Sequence, residues 1–370
     1  MRPMLYTSIQ VTSTETFYKF HVSLMKADRS LRALVQHITL NDIDSRWDSA
    51  YWDDEVVRYV RGFLLNVMDA CPNLCKLCIR GSDISTGPSF FRDSFQLHPG
   101  HRHITHLNIV NCGHIKSTPS LVRSICEWPA LGVLELPNFT GEPRWRQLFH
   151  TDRHAVPSSE EIAAVLPSSI SPIKSLFFQS RHGLDNISLC SMLFMPKNLQ
   201  HLSLCAAFWP EGLEHAFATI GHGLVSLRVN TARHVVHLFD DNITKALAYC
   251  TSLISLQLDN SLYQDYYVDV LPPTLANLTI NWIEPSKCSL ASLEPLLVQP
   301  TFRRLEAQNG ATPFKSEDVE HLQDMCGEHG VTTKGALFDP KVNTLLDLMH
   351  TGVWERPMST NFPHFEEEYQ

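Results

Sequence analysis

No run of 18 apolar residues occurs in this 370-residue chain, so it offers no helix of membrane-spanning length and no membrane partner is expected. Met1-Arg2-Pro3-Met4-Leu5-Tyr6-Thr7 lacks an apolar h-region, and no secretory leader is read from it. A basic excess is lacking as well. Lys and Arg number 30 against 39 Asp and Glu, a net charge of −9 with a pI near 6.1. That balance argues against nucleic acid, whose binders carry a basic footprint. Charged residues are only 19% of the chain. Catalytic motifs are missing: no G-x-S-x-G, no phosphate loop, no H-E-x-x-H and no G-x-G-x-x-G after a strand. With 19 histidines, chance Ser/His/Asp neighbours are unavoidable, so no triad follows from composition. The chain is read as a non-enzyme with no cofactor.

What is present is a recurring apolar phrase, L-x-x-L-x-L. It runs Val35-Ile38-Leu40, Leu74-Leu77-Ile79, Ile104-Leu107-Ile109, Leu131-Leu134-Leu136 and Ile173-Leu176-Phe178. It goes on as Leu199-Leu202-Leu204, Leu224-Leu227-Val229, Leu253-Leu256-Leu258, Leu275-Leu278-Ile280 and, more weakly, Phe302-Leu305-Ala307. First positions step by 39, 30, 27, 42, 26, 25, 29, 22 and 27 residues. This phrase at periods of about 20–29 residues marks leucine-rich repeats. The expected fold is an α/β leucine-rich-repeat solenoid, with a curved parallel sheet on the concave side and helices on the convex side. Apolar residues at 44% suffice for its continuous core.

The ten cysteines fit that scheme as free, mostly buried thiols in a reducing compartment, cytoplasmic or nuclear. Cys71, Cys126 and Cys250 precede a repeat phrase, and Cys112 falls at a ninth position, where such repeats use Asn or Cys. Cys71-x3-Cys75-x2-Cys78 lacks the paired spacing of a zinc ribbon. The run His98-x2-His101-x-His103-x2-His106 lacks a completing carboxylate or cysteine and reads as a polar loop entering a strand. No metal site is assigned.

The solenoid is expected over 1–334, with about 10–11 irregular repeats, and an irregular acidic tail over 335–370. Helical returns are expected where apolar spacing and caps agree. Val57, Val60, Leu64, Val67 and Met68 share one face, Asp241 leads into Ile243–Tyr249, and Ser316 opens a helix through Met325 closed by Gly327 or Gly330. Insertions near 41–54 and 137–158 lengthen two steps and carry Trp47, Tyr51, Trp52, Trp145 and Phe149. Each is a missed degenerate repeat, a longer surface loop, or an aromatic loop over the binding face.

In L-x-x-L-x-L-x the third, fifth and seventh residues should point away from the core. Their columns are polar but little charged, and rich in Asn, Gln, Ser and His. They suit a hydrogen-bonding protein or peptide, or are merely solvated strand residues. The candidate partner-binding residues are His106, Asn108, Phe177, Gln179, His201, Ser203, Arg228, Asn230, Gln257, Asp259, Asn281 and Arg304. Phe177, Arg228 and Arg304 are of the types that dominate binding hot spots.

Arg2-Pro3-Met4-Leu5-Tyr6-Thr7-Ser8-Ile9-Gln10-Val11 resembles the segment after the F-box in F-box/leucine-rich-repeat proteins of fungal type, where such a phrase forms a first strand. The stretch from Thr14 to about Ala27 continues as the helix that follows it. Ala70-Cys71-Pro72-Asn73-Leu74-Cys75-Lys76-Leu77 looks like that family's joint between repeats, as does Tyr249-Cys250-Thr251-Ser252-Leu253. The resemblance implies substrate recognition for a ubiquitin ligase. An F-box is not recognisable here, so a Skp-type adaptor and cullin are implied only if one lies upstream. The alternative is a stand-alone repeat scaffold or inhibitor-like binding protein.

Overall fold

The computed structural model describes residues 7–41, 64–80, 102–110, 125, 128–136, 171–179, 193, 196–206, 213–231, 240–258, 265–283, 288–309 and 314–339. Twelve strands form one parallel sheet in strict sequence order. They are β1 (Ser8–Val11), β2 (His37–Asn41), β3 (Lys76–Arg80), β4 (His106–Val110), β5 (Val133–Leu136) and β6 (Ser175–Gln179). They continue as β7 (His201–Ala206), β8 (Ser226–Thr231), β9 (Ser255–Leu258), β10 (Asn277–Ile283), β11 (Arg304–Asn309) and β12 (Thr332–Lys334). Parallel strands that neighbour each other in the order of the chain, led from β2 to β11 by the same apolar phrase, define a leucine-rich-repeat solenoid.

The phrase explains both faces. Its fourth and sixth residues share one side of each strand, and its first residue closes the turn beneath them. In β9 and β10 these are Leu253, Leu256, Leu258, Leu275, Leu278 and Ile280, all fully buried in the single apolar core. Aromatic side chains fill the wider gaps, Phe17, Trp128, Phe178, Phe217, Tyr267 and Phe302 among them.

Register is copied from strand to strand by one carbonyl. The second residue of each phrase accepts the N–H groups of both the second and third residues of the next. Gln36 O accepts from Cys75 and Lys76 at 2.9 and 3.1 Å, and the pair recurs at every step until Ala276 O takes Arg303 and Arg304 at 2.8 and 3.0 Å. The last step has only one such amide, Thr332 N to Arg303 O at 2.9 Å, and the Thr332 hydroxyl donates to that same carbonyl at 3.0 Å.

Two long steps keep the same register. β2 pairs with β3 over five residues and β5 with β6 over four. No further repeat strand lies between them, which removes the missed-repeat reading of both insertions. The insertion residues themselves, 42–63 and 137–170, lie outside the described residues.

Most of the described returns are α-helical, and step length alone does not decide it: the 27-residue step from Leu275 to Phe302 returns through a 3-10 turn, Leu290–Leu293, and a single α turn, Glu294–Leu297. Helix α1 (Thr14–Lys26) is capped by Ser13, whose hydroxyl accepts Thr16 N at 3.1 Å. Residues 64–70 are helical and bury Leu64, Val67 and Met68, as their spacing required. Helices α2 (Leu213–Ile220) and α3 (Asp240–Ala248) pack side by side. The 22-residue step from Leu253 to Leu275 instead returns through a tighter 3-10 helix, Asp265–Val270. Helix α4 (Ser316–Glu328) runs through Gly327 and stops at Gly330, φ 69°. Gly330 N bonds to Gly327 O at 3.1 Å and Val331 N to Cys326 O at 2.8 Å, a Schellman end.

The solenoid closes in a way the repeat phrase does not announce. Ala307 stands at the sixth position of its phrase because the Gly335 backbone lies against it. A Cβ on Gly335 would sit 2.1 Å from Ala307 O, and its φ of 102° belongs to glycine. The missing volume is supplied by Leu337 and Phe338, both buried. The segment expected to be tail thus begins, over 335–339, as a 3-10 turn against β11, and residues 340–370 lie outside the described residues.

Candidate functional site

Opposite the core, the third and fifth residues of each phrase form two adjacent columns across the sheet. The register sets Ser8, His37, Lys76, His106, Val133, Ser175, His201, Ser226, Ser255, Asn277, Arg304 and Thr332 in one line. The second line is Gln10, Thr39, Cys78, Asn108, Glu135, Phe177, Ser203, Arg228, Gln257, Thr279, Glu306 and Lys334.

The third- and fifth-position residues selected from the sequence therefore share one face, but they do not form one cluster. His106 and Asn108 stand on β4, where the Asn108 amide donates to Glu135 Oε2 on β5. His106 Nε2 lies 3.5 Å from the other oxygen, Glu135 Oε1. Burial holds the His106 imidazole below the ordinary histidine range; Lys76 and His37 push the same way and Glu135 opposes them. Phe177 is half-buried on β6, in register between Glu135 and Ser203. His201 and Arg228 are exposed, and Ser203, Asn230 and Gln257 are half-buried.

Asn281 sits where the β10–β11 register shifts, between Ile280 and Ile283. Gln179 is placed by register alone, opposite Cys205. Asp259 lies outside the described residues. Arg304, one of the three favoured anchors, is already engaged, its Nη2 being 2.7 Å from Glu306 Oε2.

Sequence reasoning passed over Glu135, which stands in the same fifth-position column and organises His106 and Asn108. Its cue was the one acidic residue among the polar neighbours of β4 to β7. Cys78 also departs from expectation. Its column faces away from the core, yet it is only 3% exposed, between Thr39 and Asn108.

Four of the described cysteines are core residues and not nucleophiles. Cys71, Cys250 and Cys326 belong to the core, as does Cys288. Burial pushes the thiols of Cys71 and Cys326 up to about 11 and those of Cys250 and Cys288 up to about 12, far from the thiolate a nucleophile needs. Cys71 and Cys78 lie on opposite sides of the sheet. Among the described residues no group of three His, Cys, Asp or Glu side chains is placed to hold a metal ion. No described helix is long and apolar enough to cross a membrane.

No family model matches the chain. No curated protein matches it either. Among solved structures it is similar to the leucine-rich repeat-containing protein LegL7 from Legionella pneumophila, with a TM-score of 0.46 and 14% identity. The match covers 95% of this chain and 99% of that one. At that distance the likeness adds nothing to the strand register, which by itself defines the solenoid.

Proposed function

We propose that this chain is a protein-binding scaffold that holds a polypeptide partner against the concave face of its sheet. The observation that carries the reading is the pair of concave columns, polar at every position but Val133, Cys78 and Phe177. Twelve strands in one register present hydrogen-bonding side chains at about 4.8 Å intervals, a lattice that a polypeptide can engage along its whole length. The leucines supply the rigid backing, so little ordering remains to be done on binding.

Within this reading the chain acts as the substrate-recognition part of an F-box-type ubiquitin-ligase subunit. The support is the resemblance of residues 2–11 and of the Cys-Pro-Asn-Leu joint at 71–74, together with a strand at Ser8–Val11 where the resemblance calls for one. Skp-type adaptor and cullin then belong to the complete assembly through an F-box outside the repeats.

The test uses a photo-crosslinking amino acid placed at Ser203, with a second variant carrying it at Tyr18 on α1 as the convex control. Crosslinks to polypeptide are expected from the first, and their loss is expected with Phe177→Ala/Arg228→Ala at unchanged melting temperature. Crosslinks from Tyr18 alone overturn the concave-face reading. The ligase role is tested separately by purifying the complete gene product from its own cells. An eluate without adaptor and cullin removes that role and leaves the scaffold.

A further inference from the structure

The concave columns differ in charge from the rest of the molecule. Lys76, Arg80, Arg228, Arg304 and Lys334 stand on this face, against only Glu135 and Glu306 among the described residues. The face is thus positive by three in a chain of net charge −9. Counting Asp259, next in the seventh-position column of the sequence, lowers the excess to two and keeps its sign. Both carboxylates are also occupied within the face, Glu135 by Asn108 and His106, Glu306 by Arg304. Among the described residues, acid collects on the opposite side. Helix α4 alone carries Glu317, Asp318, Glu320, Asp324 and Glu328, all exposed. An acidic protein that collects cations on one face focuses potential there and steers negatively charged ligands to it.

A polypeptide suits the rest of this face. Its backbone offers donors and acceptors at every residue to the polar side chains that stand between the cations, whereas a polyphosphate offers acceptors alone.

From these observations, and resting on the scaffold reading above, we propose that the concave face takes an acidic, extended polypeptide segment running along the solenoid axis. Spacing follows from the sheet. Lys76 and Arg80 on β3 are five strands from Arg228 on β8, about 24 Å at about 4.8 Å per strand. Lys334 on β12 lies four strands further, about 19 Å. An extended chain at about 3.3 Å per residue covers these gaps in about seven and about six residues. The segment carries acidic groups at those intervals with apolar or polar residues between, one of them against Phe177.

The experiment selects random 15-residue peptides on the full chain at about 0.05 M salt, where surface charge is weakly screened. Selected peptides, a synthetic Glu-Ser 15-mer and a 15-nucleotide oligouridylate are then titrated by fluorescence anisotropy. Acid-enriched peptides are expected to win. Their affinity should fall about tenfold or more in Lys76→Gln/Arg80→Gln/Arg228→Gln and on raising salt to about 0.3 M, and hold in Lys19→Gln/Lys26→Gln/Lys245→Gln on the convex side. Selected peptides without acid enrichment that are lost on Phe177→Ala overturn the acidic ligand and leave the concave-face scaffold standing. Peptides indifferent to every concave substitution overturn both. Tighter binding of the oligouridylate than of any peptide overturns the polypeptide assignment.

Discussion

Replacing two adjacent residues of β10, one at a time, tests the assignment of faces most directly. Leu278 is fully buried and lies in register between Leu256 and Leu305, which are fully buried too. Leu278→Ala removes three carbon groups from this layer. At about 0.8 kcal/mol per group the transfer loss is about 2.4 kcal/mol. The close-packed neighbours on both sides relax only partly, so a cavity term raises the expected cost into the range of about 2–5 kcal/mol. Thr279, the next residue, stands on the other side of the same strand and is half-buried in the polar column. Thr279→Ala should change stability by no more than about 0.5 kcal/mol. Urea unfolding followed by circular dichroism measures both. Amide exchange at β9 to β11 records whether the loss stays near the altered repeat, as nearest-neighbour stability in a solenoid requires. A one-residue slip of register would exchange the two outcomes. The reasoning is refuted if Thr279→Ala costs as much as Leu278→Ala, or if Leu278→Ala costs less than about 1 kcal/mol.

Gly335→Ala should loosen the C-terminal end of the solenoid by at least about 1–3 kcal/mol, from its φ of 102° and the clash with Ala307 O, with amide protection lost first at β11 and β12. Equal protection in the two proteins would contradict that closure. Acid should destabilise the fold through His106. Its folded pKa lies below the ordinary value, so the unfolded chain takes up the proton first as pH falls. The stability it contributes is complete above about 6.5 and declines as pH drops from there through the folded pKa. A melting-temperature profile from pH 8 to pH 5 should therefore be flatter in His106→Gln, and an unchanged slope would remove His106 as the cause.

Much of this molecule is legible in its sequence because one short phrase sets both register and burial. Leu77, Leu107 and Leu134 mark three strands and three layers of core at once, and the expected strands from β2 to β11 all stand in the sheet. The phrase fails where another contact replaces it. At β12 the core positions read Thr333 and Gly335, and nothing in that pattern points to a strand. Its partner Ala307 was the clue, since a small residue in a leucine position implies that something else fills the layer, here Gly335 and Leu337.

The site is harder to read for a related reason. Periodicity places Lys76, His106, Glu135 and Arg228 on one face without saying which of them are already paired, since pairs form both across strands and along one strand. Arg304 shows the consequence: a guanidinium that looks like an anchor in sequence has Glu306 beside it on the same strand. Glu135 shows the converse, an unselected carboxylate that orients both Asn108 and His106. Charge therefore distinguishes this concave face better than residue type does. Lys76, Arg80, Arg228 and Lys334 outnumber the carboxylates of the described face, and the acidic ligand proposed above follows from that excess.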